Sequence, residues 1–121
     1  MDGKRIVILD DDIDILDSMQ MVLEYKGYQV QTLDNPRELD GFLENAPDLL
    51  LVDLWMSGVN GADICRQLKA SDKTKHIPVV IISANVNIKE ISLMCQADGY
   101  VSKPFEIEYL LATIQQFTQQ V

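Results

Sequence analysis

The amino-acid sequence predicts an α/β fold: a doubly wound, five-stranded parallel sheet with helices on both faces, in three αβα layers. Three observations predict it. Aliphatic runs at residues 5–9, 49–52 and 79–82 show no polar alternation, which is how a strand buried on both faces reads. Between them lie segments whose apolar residues recur at helical spacing, and helices supply the crossovers that parallel neighbours need. Each run also ends abruptly on a polar residue, Asp10, Asp53 or Ser83.

In chain order, Arg5-Ile6-Val7-Ile8-Leu9 is the first strand. A helix follows from Asp12 or Asp14, with Ile15, Leu16, Met19, Val22 and Leu23 on one stripe. It stops at Gly27, because glycine readily takes the left-handed conformation just past a helix end. Gln29 to Leu33 reads as a short second strand. Asn35 then caps a second helix, with Pro36 at its first position and Glu38 closing a capping box. Leu39, Phe42, Leu43 and Ala46 form its inner face, and Pro47 ends it. The third strand, Leu49 to Asp53, leads into a segment read as an irregular loop, Leu54 to Val59. Asn60 caps the third helix, whose inner face is Gly61, Ile64, Cys65 and Leu68. Ser71 to Pro78 is a polar connection to the strand Val79-Val80-Ile81-Ile82. The fourth helix carries Ile88, Ile91 and Cys95 on its stripe. Tyr100-Val101 is a very short last strand, and the closing helix, from about Glu106, buries Ile107, Leu110, Leu111, Ile114 and Phe117.

The chain of 121 residues suits a single domain spanning residues 1–121. Apolar residues make up 47% and charged residues 24%, which is globular rather than disordered composition. No apolar run approaches the roughly 20 residues of a membrane span, and the N-terminus lacks the apolar centre of a signal peptide, so a cytoplasmic location is expected. A net charge of −9 argues against direct nucleic-acid binding through phosphate contacts. Cys65 and Cys95 lack metal-ligand spacing and fall on apolar helix faces, so they are expected as buried free thiols. His76, the sole histidine, sits in the polar connection and is read as a surface residue.

In open parallel sheets the ligand site lies beyond the carboxyl ends of the strands, where strand order reverses. Four strands deliver Asp10 and Asp11, Asp53, Ser83 and Lys103 to that edge. A lone acid after an aliphatic strand is only a turn residue, and a run such as Asp10-Asp11-Asp12 also suits the positive end of a helix dipole. Three converging carboxylates are different. Each raises the pKa of its neighbours, and a divalent cation relieves the conflict. All-oxygen ligation with room for water and phosphate suits Mg²⁺. Lys103 and the Ser83 hydroxyl add the charge and donor that hold a phosphoryl group in transit, and an aspartate can be its acceptor. The constellation therefore points to Mg²⁺-assisted phosphoryl transfer onto Asp53.

Ile8-Leu9-Asp10-Asp11-Asp12, Asp53-Leu54-Trp55-Met56, Ile82-Ser83-Ala84 and Tyr100-Val101-Ser102-Lys103-Pro104-Phe105 together resemble the receiver domain of two-component response regulators. The likeness runs through essentially the whole chain, in order. It implies a flavodoxin-like sheet of order 2-1-3-4-5, with Asp53 accepting a phosphoryl group from a histidine kinase or a phosphotransfer protein. It further implies Mg²⁺ bound by Asp11, Asp53 and the Trp55 carbonyl, with Asp10 assisting through water. Ser83, the Ala84 amide and Lys103 would hold the phosphoryl oxygens, and the Lys103-Pro104 bond would be cis. Ser83 and Tyr100 would form the switch, while Trp55 and Asn85 would flank the phosphoryl group and tune its lifetime. Trp55 packing on its loop, and Tyr100 as a fixed core aromatic, are the plainer readings of those two residues. The implied protein is a stand-alone, single-domain regulator. It is no enzyme beyond self-catalysed phosphotransfer and autodephosphorylation, and it signals to a target protein through its last two helices and last strand.

Three departures from the family pattern stand out. Ser57 replaces a usual proline, Gln96 replaces the glycine that commonly ends the fourth helix, and the interval from Ser83 to Lys103 is about two residues short. Other classes fit less well. A phosphatase of the haloacid dehalogenase type needs a further acidic pair after the lysine and usually a cap domain, where here only Glu106 and Glu108 follow. A flavodoxin-like electron carrier needs a Ser-, Thr- and Gly-rich first loop, and Asp10-Asp11-Asp12 would repel its phosphate. The alternative of a phosphorylation-independent interaction module has against it that every site position holds a competent residue.

Overall fold

The computed structural model describes residues 3–56 and 58–118, so Ser57 lies outside the described residues. Its strands are β1 (Arg5–Leu9), β2 (Gln29–Leu33), β3 (Leu49–Asp53), β4 (Trp55–Met56), β5 (Val59–Asn60), β6 (Val79–Ser83) and β7 (Gly99–Ser102). The helices are α1 (Ile13–Tyr25), α2 (Leu39–Leu43), α3 (Gly61–Ala70), α4 (Ile88–Met94) and α5 (Ile107–Thr118). Five strands form one parallel sheet in the order β2-β1-β3-β6-β7. This is the expected 2-1-3-4-5 order, since β4 and β5 pair only with each other.

Alternation of side chains along the strands divides the core in two. Val7, Leu9, Leu50, Val52, Val79 and Ile81 face α2, α3 and α4, whereas Ile6, Ile8, Leu49, Leu51, Val80 and Ile82 face α1 and α5. Both faces of β1, β3 and β6 are therefore dry, which is why these strands read as unbroken aliphatic runs. Cys65 and Cys95 are buried free thiols, with the Cys65 thiol donating to the Cys95 carbonyl at 3.3 Å.

Helix ends follow local chemistry. Asp12 caps α1, its carboxylate accepting from the amides of Asp14 and Ile15, and Gly27 follows the helix at φ +98°. The polar connection after α3 is tied down by Lys69, which donates to the carbonyls of Lys75 and Ile77 and to Asp98 at 2.7 Å. Asp98 in turn accepts from the Val79 amide at 2.7 Å, so one ion pair joins α3 to the starts of β6 and β7.

Several elements depart from the sequence reading. The second helix opens as a 3₁₀ turn, Pro36–Glu38, because Asn35 accepts from the Arg37 amide with its side chain and from the Glu38 amide with its carbonyl. The capping box with Glu38 is not used. The helix then ends at Leu43, and Ala46 is exposed instead of on the inner face. Pro47 has no N–H for the Leu43 carbonyl and disfavours helical backbone at Ala46. Arg5 takes the freed carbonyls of Phe42 and Asn45. The loop after Asp53 is a small antiparallel hairpin, with Trp55 opposite Asn60 and Met56 opposite Val59. The last strand runs one residue further at each end than Tyr100-Val101. Just past α4, Gln96 adopts φ +65°, so this chain puts a side chain where glycine is the unstrained choice.

Candidate functional site

The site is assembled by strand ends. Asp10 directly follows β1, Asp53 closes β3, Ser83 closes β6 and Lys103 directly follows β7. The parallel register lines up β1, β3, β6 and β7 so that these ends come together at one edge of the sheet. At β1 the chain order reverses, β2 lying on one side and β3 on the other, which opens the crevice expected of this topology.

Lys103 is the hub. Its ammonium lies 3.2 Å from Asp10 Oδ2 and 3.4 Å from Asp53 Oδ1. Its backbone amide donates to the Ser83 carbonyl at 2.8 Å, which anchors the β7 end to the β6 end. The Lys103-Pro104 peptide is cis, as the sequence resemblance implies. Asp10 is almost fully buried, and its second oxygen accepts from the Asp12 amide at 2.9 Å. Carboxylate oxygens of Asp10, Asp11 and Asp53 all lie within 4.8 Å of one another. Asp11 is the exposed member. Within the run of three aspartates the roles thus divide: Asp12 belongs to the helix cap, and Asp10 and Asp11 to the cluster.

The electrostatics follow from this crowding. Burial, then the charge of Asp10, push Asp53 above the ordinary carboxylate range, and Lys103 only partly pulls it back. Burial alone would lower Lys103, yet the two carboxylates outweigh it and hold the ammonium above its usual value. A buried carboxylate kept short of full compensation by one lysine is a site that gains from a further cation. The donors are hard oxygens, one per residue, with one side open to solvent at Asp11, which fits a small divalent ion such as Mg²⁺ better than a soft one.

The remaining predicted residues border this cluster. The Ser83 hydroxyl oxygen is buried and accepts from the Asn85 amide at 3.0 Å. Ala84 and Asn85 are exposed in the loop after β6, where the Asn85 side chain accepts from the Asn87 amide. Trp55 is 63% exposed and lines, with Leu54, Ser83, Asn85, Arg66 and Met94, a cavity of about 380 Å³. Tyr100 is partly buried against the apolar cluster shared by α3 and α4.

One residue of the site escaped the sequence reading, Gly61. A side chain there would overlap the Asp53 carbonyl oxygen and come within 2.9 Å of Val52 Cγ1, so α3 begins in direct contact with the backbone of the β3 end. The only sequence signal was a glycine one residue after a capping Asn, which reads equally well as an ordinary helix start.

Comparison with known proteins agrees with this geometry. The sequence profile of the response regulator receiver domain matches residues 6–115. The uncharacterized transcriptional regulatory protein YkoG of Bacillus subtilis is 37% identical over 123 residues, covering 99% of this chain and 53% of YkoG. The chain spans about half the length of the curated relatives it matches. Among solved structures, the CheY-like receiver domain protein of Methanospirillum hungatei superimposes with a TM-score of 0.84 at 28% identity, over 94% of this chain and 92% of that one. The response regulator TrrA of Thermotoga maritima, solved in complex with Mg²⁺-BeF, superimposes with a TM-score of 0.82 at 27% identity, over 94% and 98%. Among the described residues no helix is long and apolar enough to cross a membrane.

Proposed function

The chain belongs to the response regulator receiver domain family, and from that premise we propose that Asp53 is its phosphoacceptor in a Mg²⁺-dependent transfer from a histidine kinase or a histidine phosphotransfer protein. The observation that carries the proposal is the placement of Lys103 within 3.4 Å of Asp53 and 3.2 Å of Asp10, with Asp11 completing a carboxylate cluster. In the transfer, an Asp53 carboxylate oxygen forms the new O–P bond as the donor's N–P bond breaks, and the electron pair leaves with the imidazole. Burial and the charge of Asp10 oppose the negative charge of Asp53, and bonding to phosphorus disperses that charge.

Asp10, Asp11, Asp53 and the Trp55 carbonyl would hold the ion, Asp10 through water. When bound, Mg²⁺ supplies positive charge for the phosphoryl oxygens and relieves the repulsion among the carboxylates. Lys103 follows the charge: it pairs with Asp53 before transfer and is placed to pair with a phosphoryl oxygen afterwards. Ser83 must exchange the Asn85 amide for the phosphoryl group, and the Ala84 amide is the next donor along the same loop. Ser83 and Tyr100 form the proposed switch, and Trp55 and Asn85 border the cavity through which a hydrolytic water would arrive. The chain is proposed to act as one domain in the cytoplasm, to catalyse only its own phosphorylation and dephosphorylation, and to signal through protein contacts without touching nucleic acid itself.

Intact mass after treatment with acetyl phosphate and Mg²⁺ tests this. The wild type should gain one phosphoryl group, and Asp53→Asn or omission of Mg²⁺ should abolish it. A wild type that gains no mass and binds no beryllium fluoride would overturn the proposal.

A further inference from the structure

We propose that Gly61 is a positioning residue: its missing side chain lets the start of α3 clamp the backbone from Asp53 to Trp55, and thereby sets the affinity of the proposed Mg²⁺ site. The inference rests on the reading of Asp53 as phosphoacceptor and adds a determinant outside the carboxylate cluster.

Three contacts close the clamp. The Gly61 amide donates to the Leu54 carbonyl at 2.5 Å. Trp55 and Met56 pair with Asn60 and Val59 across the hairpin, which folds the chain back on the strand end. The Gly61 Cα sits where any Cβ would overlap the Asp53 carbonyl oxygen and press on its carbonyl carbon and on Val52 Cγ1. That neighbour is backbone and a buried valine, not a flexible side-chain tip, so the contact yields only if the β3 end moves.

The moved segment matters because of what it carries. Asp53 supplies one carboxylate of the cluster, and the Trp55 carbonyl, two residues on, is the expected main-chain ligand. A small octahedral ion needs near-ideal geometry, so moving Asp53 relative to Asp10 and Asp11 changes how well the cluster can hold it. Asp98 offers an internal contrast. It accepts from Lys69 and from the Val79 amide, each at 2.7 Å, at the opposite end of the sheet, so its removal weakens the fold without adding an atom against Asp53.

The test is a Mg²⁺ titration followed by Trp55 emission and by beryllium fluoride binding, on the wild type, Gly61→Ala and Asp98→Ala. Gly61→Ala should weaken Mg²⁺ binding by about tenfold or more, the range found when groups that orient metal ligands are disturbed. Asp98→Ala should stay within about twofold of the wild type although it also loses thermal stability. Equal affinity for Gly61→Ala and the wild type, or losses that merely track stability in both variants, would overturn the inference and leave the phosphoacceptor reading intact. A wild type that binds neither probe would overturn both. If Gly61→Ala does not fold, the wild type decides: the Gly61 amide resonance should shift with the same Mg²⁺ midpoint as Trp55, and an unmoved resonance would overturn the clamp.

Discussion

Replacing Asp53 by asparagine should stabilise the metal-free protein at neutral pH, and the gain should vanish in acid. At an effective dielectric constant near 20, the Lys103–Asp53 pair at 3.4 Å attracts by about 5 kcal/mol, and a like pair within 4.8 Å repels by about 3.5 kcal/mol or more. Asp10 alone therefore removes most of what Lys103 contributes, and exposed Asp11, more strongly screened, removes some of the rest. Burial is then left largely uncompensated, consistent with its place as the first cause of the raised Asp53 pKa. Asparagine keeps the shape and abolishes the charge, while Lys103 keeps Asp10 at 3.2 Å. The expected result is a higher Tm, at roughly 3–6 °C for each 1 kcal/mol gained in a domain of this size.

The pH dependence gives the sign. Because the folded-state pKa of Asp53 lies above the unfolded one, the native state binds more protons in between, and stability falls as pH rises through that window. Below the ordinary value of 3.8 both states are protonated and the substitution should be neutral; above the raised folded value the full gain should appear. Scanning calorimetry of both proteins in chelator, at pH values on either side of the window, measures the difference. An Asp53→Asn protein no more stable at neutral pH, or a gain that persists unchanged in acid, would refute the charge-crowding argument.

Removing Lys103 acts in the opposite direction. Lys103→Ala leaves buried Asp10 and partly buried Asp53 without their ammonium and should cost about 2–4 kcal/mol by denaturant titration, with Mg²⁺ restoring a larger share than it adds to the wild type. The same variant should lose acetyl phosphate-driven mass gain. Asp98→Ala breaks the bonds to Lys69 and to the Val79 amide at the far end of the sheet, so it should cost about 1–3 kcal/mol while leaving Mg²⁺ binding unchanged. Burial, then the neighbouring Cys95, push the Cys65 thiol up to about 12. Neither thiol of the native protein should react with an aromatic disulfide reagent at mildly alkaline pH, and both should react once denaturant is added.

What was legible in the sequence is what depends on runs and ends. β1, β3 and β6 were readable because burial on both faces removes every polar residue until the strand stops, and the stopping residues are the ones that meet at the sheet edge. Asp10, Asp53, Ser83 and Lys103 therefore fell out together, since a parallel sheet brings all carboxyl ends to one side. Elements governed by competition among nearby hydrogen bonds were not readable in this way. Asn35 had two helical uses available, and α2 ends early where Arg5, remote in sequence, takes the carbonyls of Phe42 and Asn45. The two-residue strands of the hairpin are too short to have a period. Gly61 was opaque for a further reason: its role is the absence of an atom against the Asp53 carbonyl, and an absence shows only once the two backbones are seen in contact. The carboxylate cluster and its lysine are thus written as residue types, whereas the precision with which they are held is written in backbone approach. Substitutions outside the charged residues, at the start of α3 above all, are where the chemistry of this site should prove most sensitive to a single methyl group.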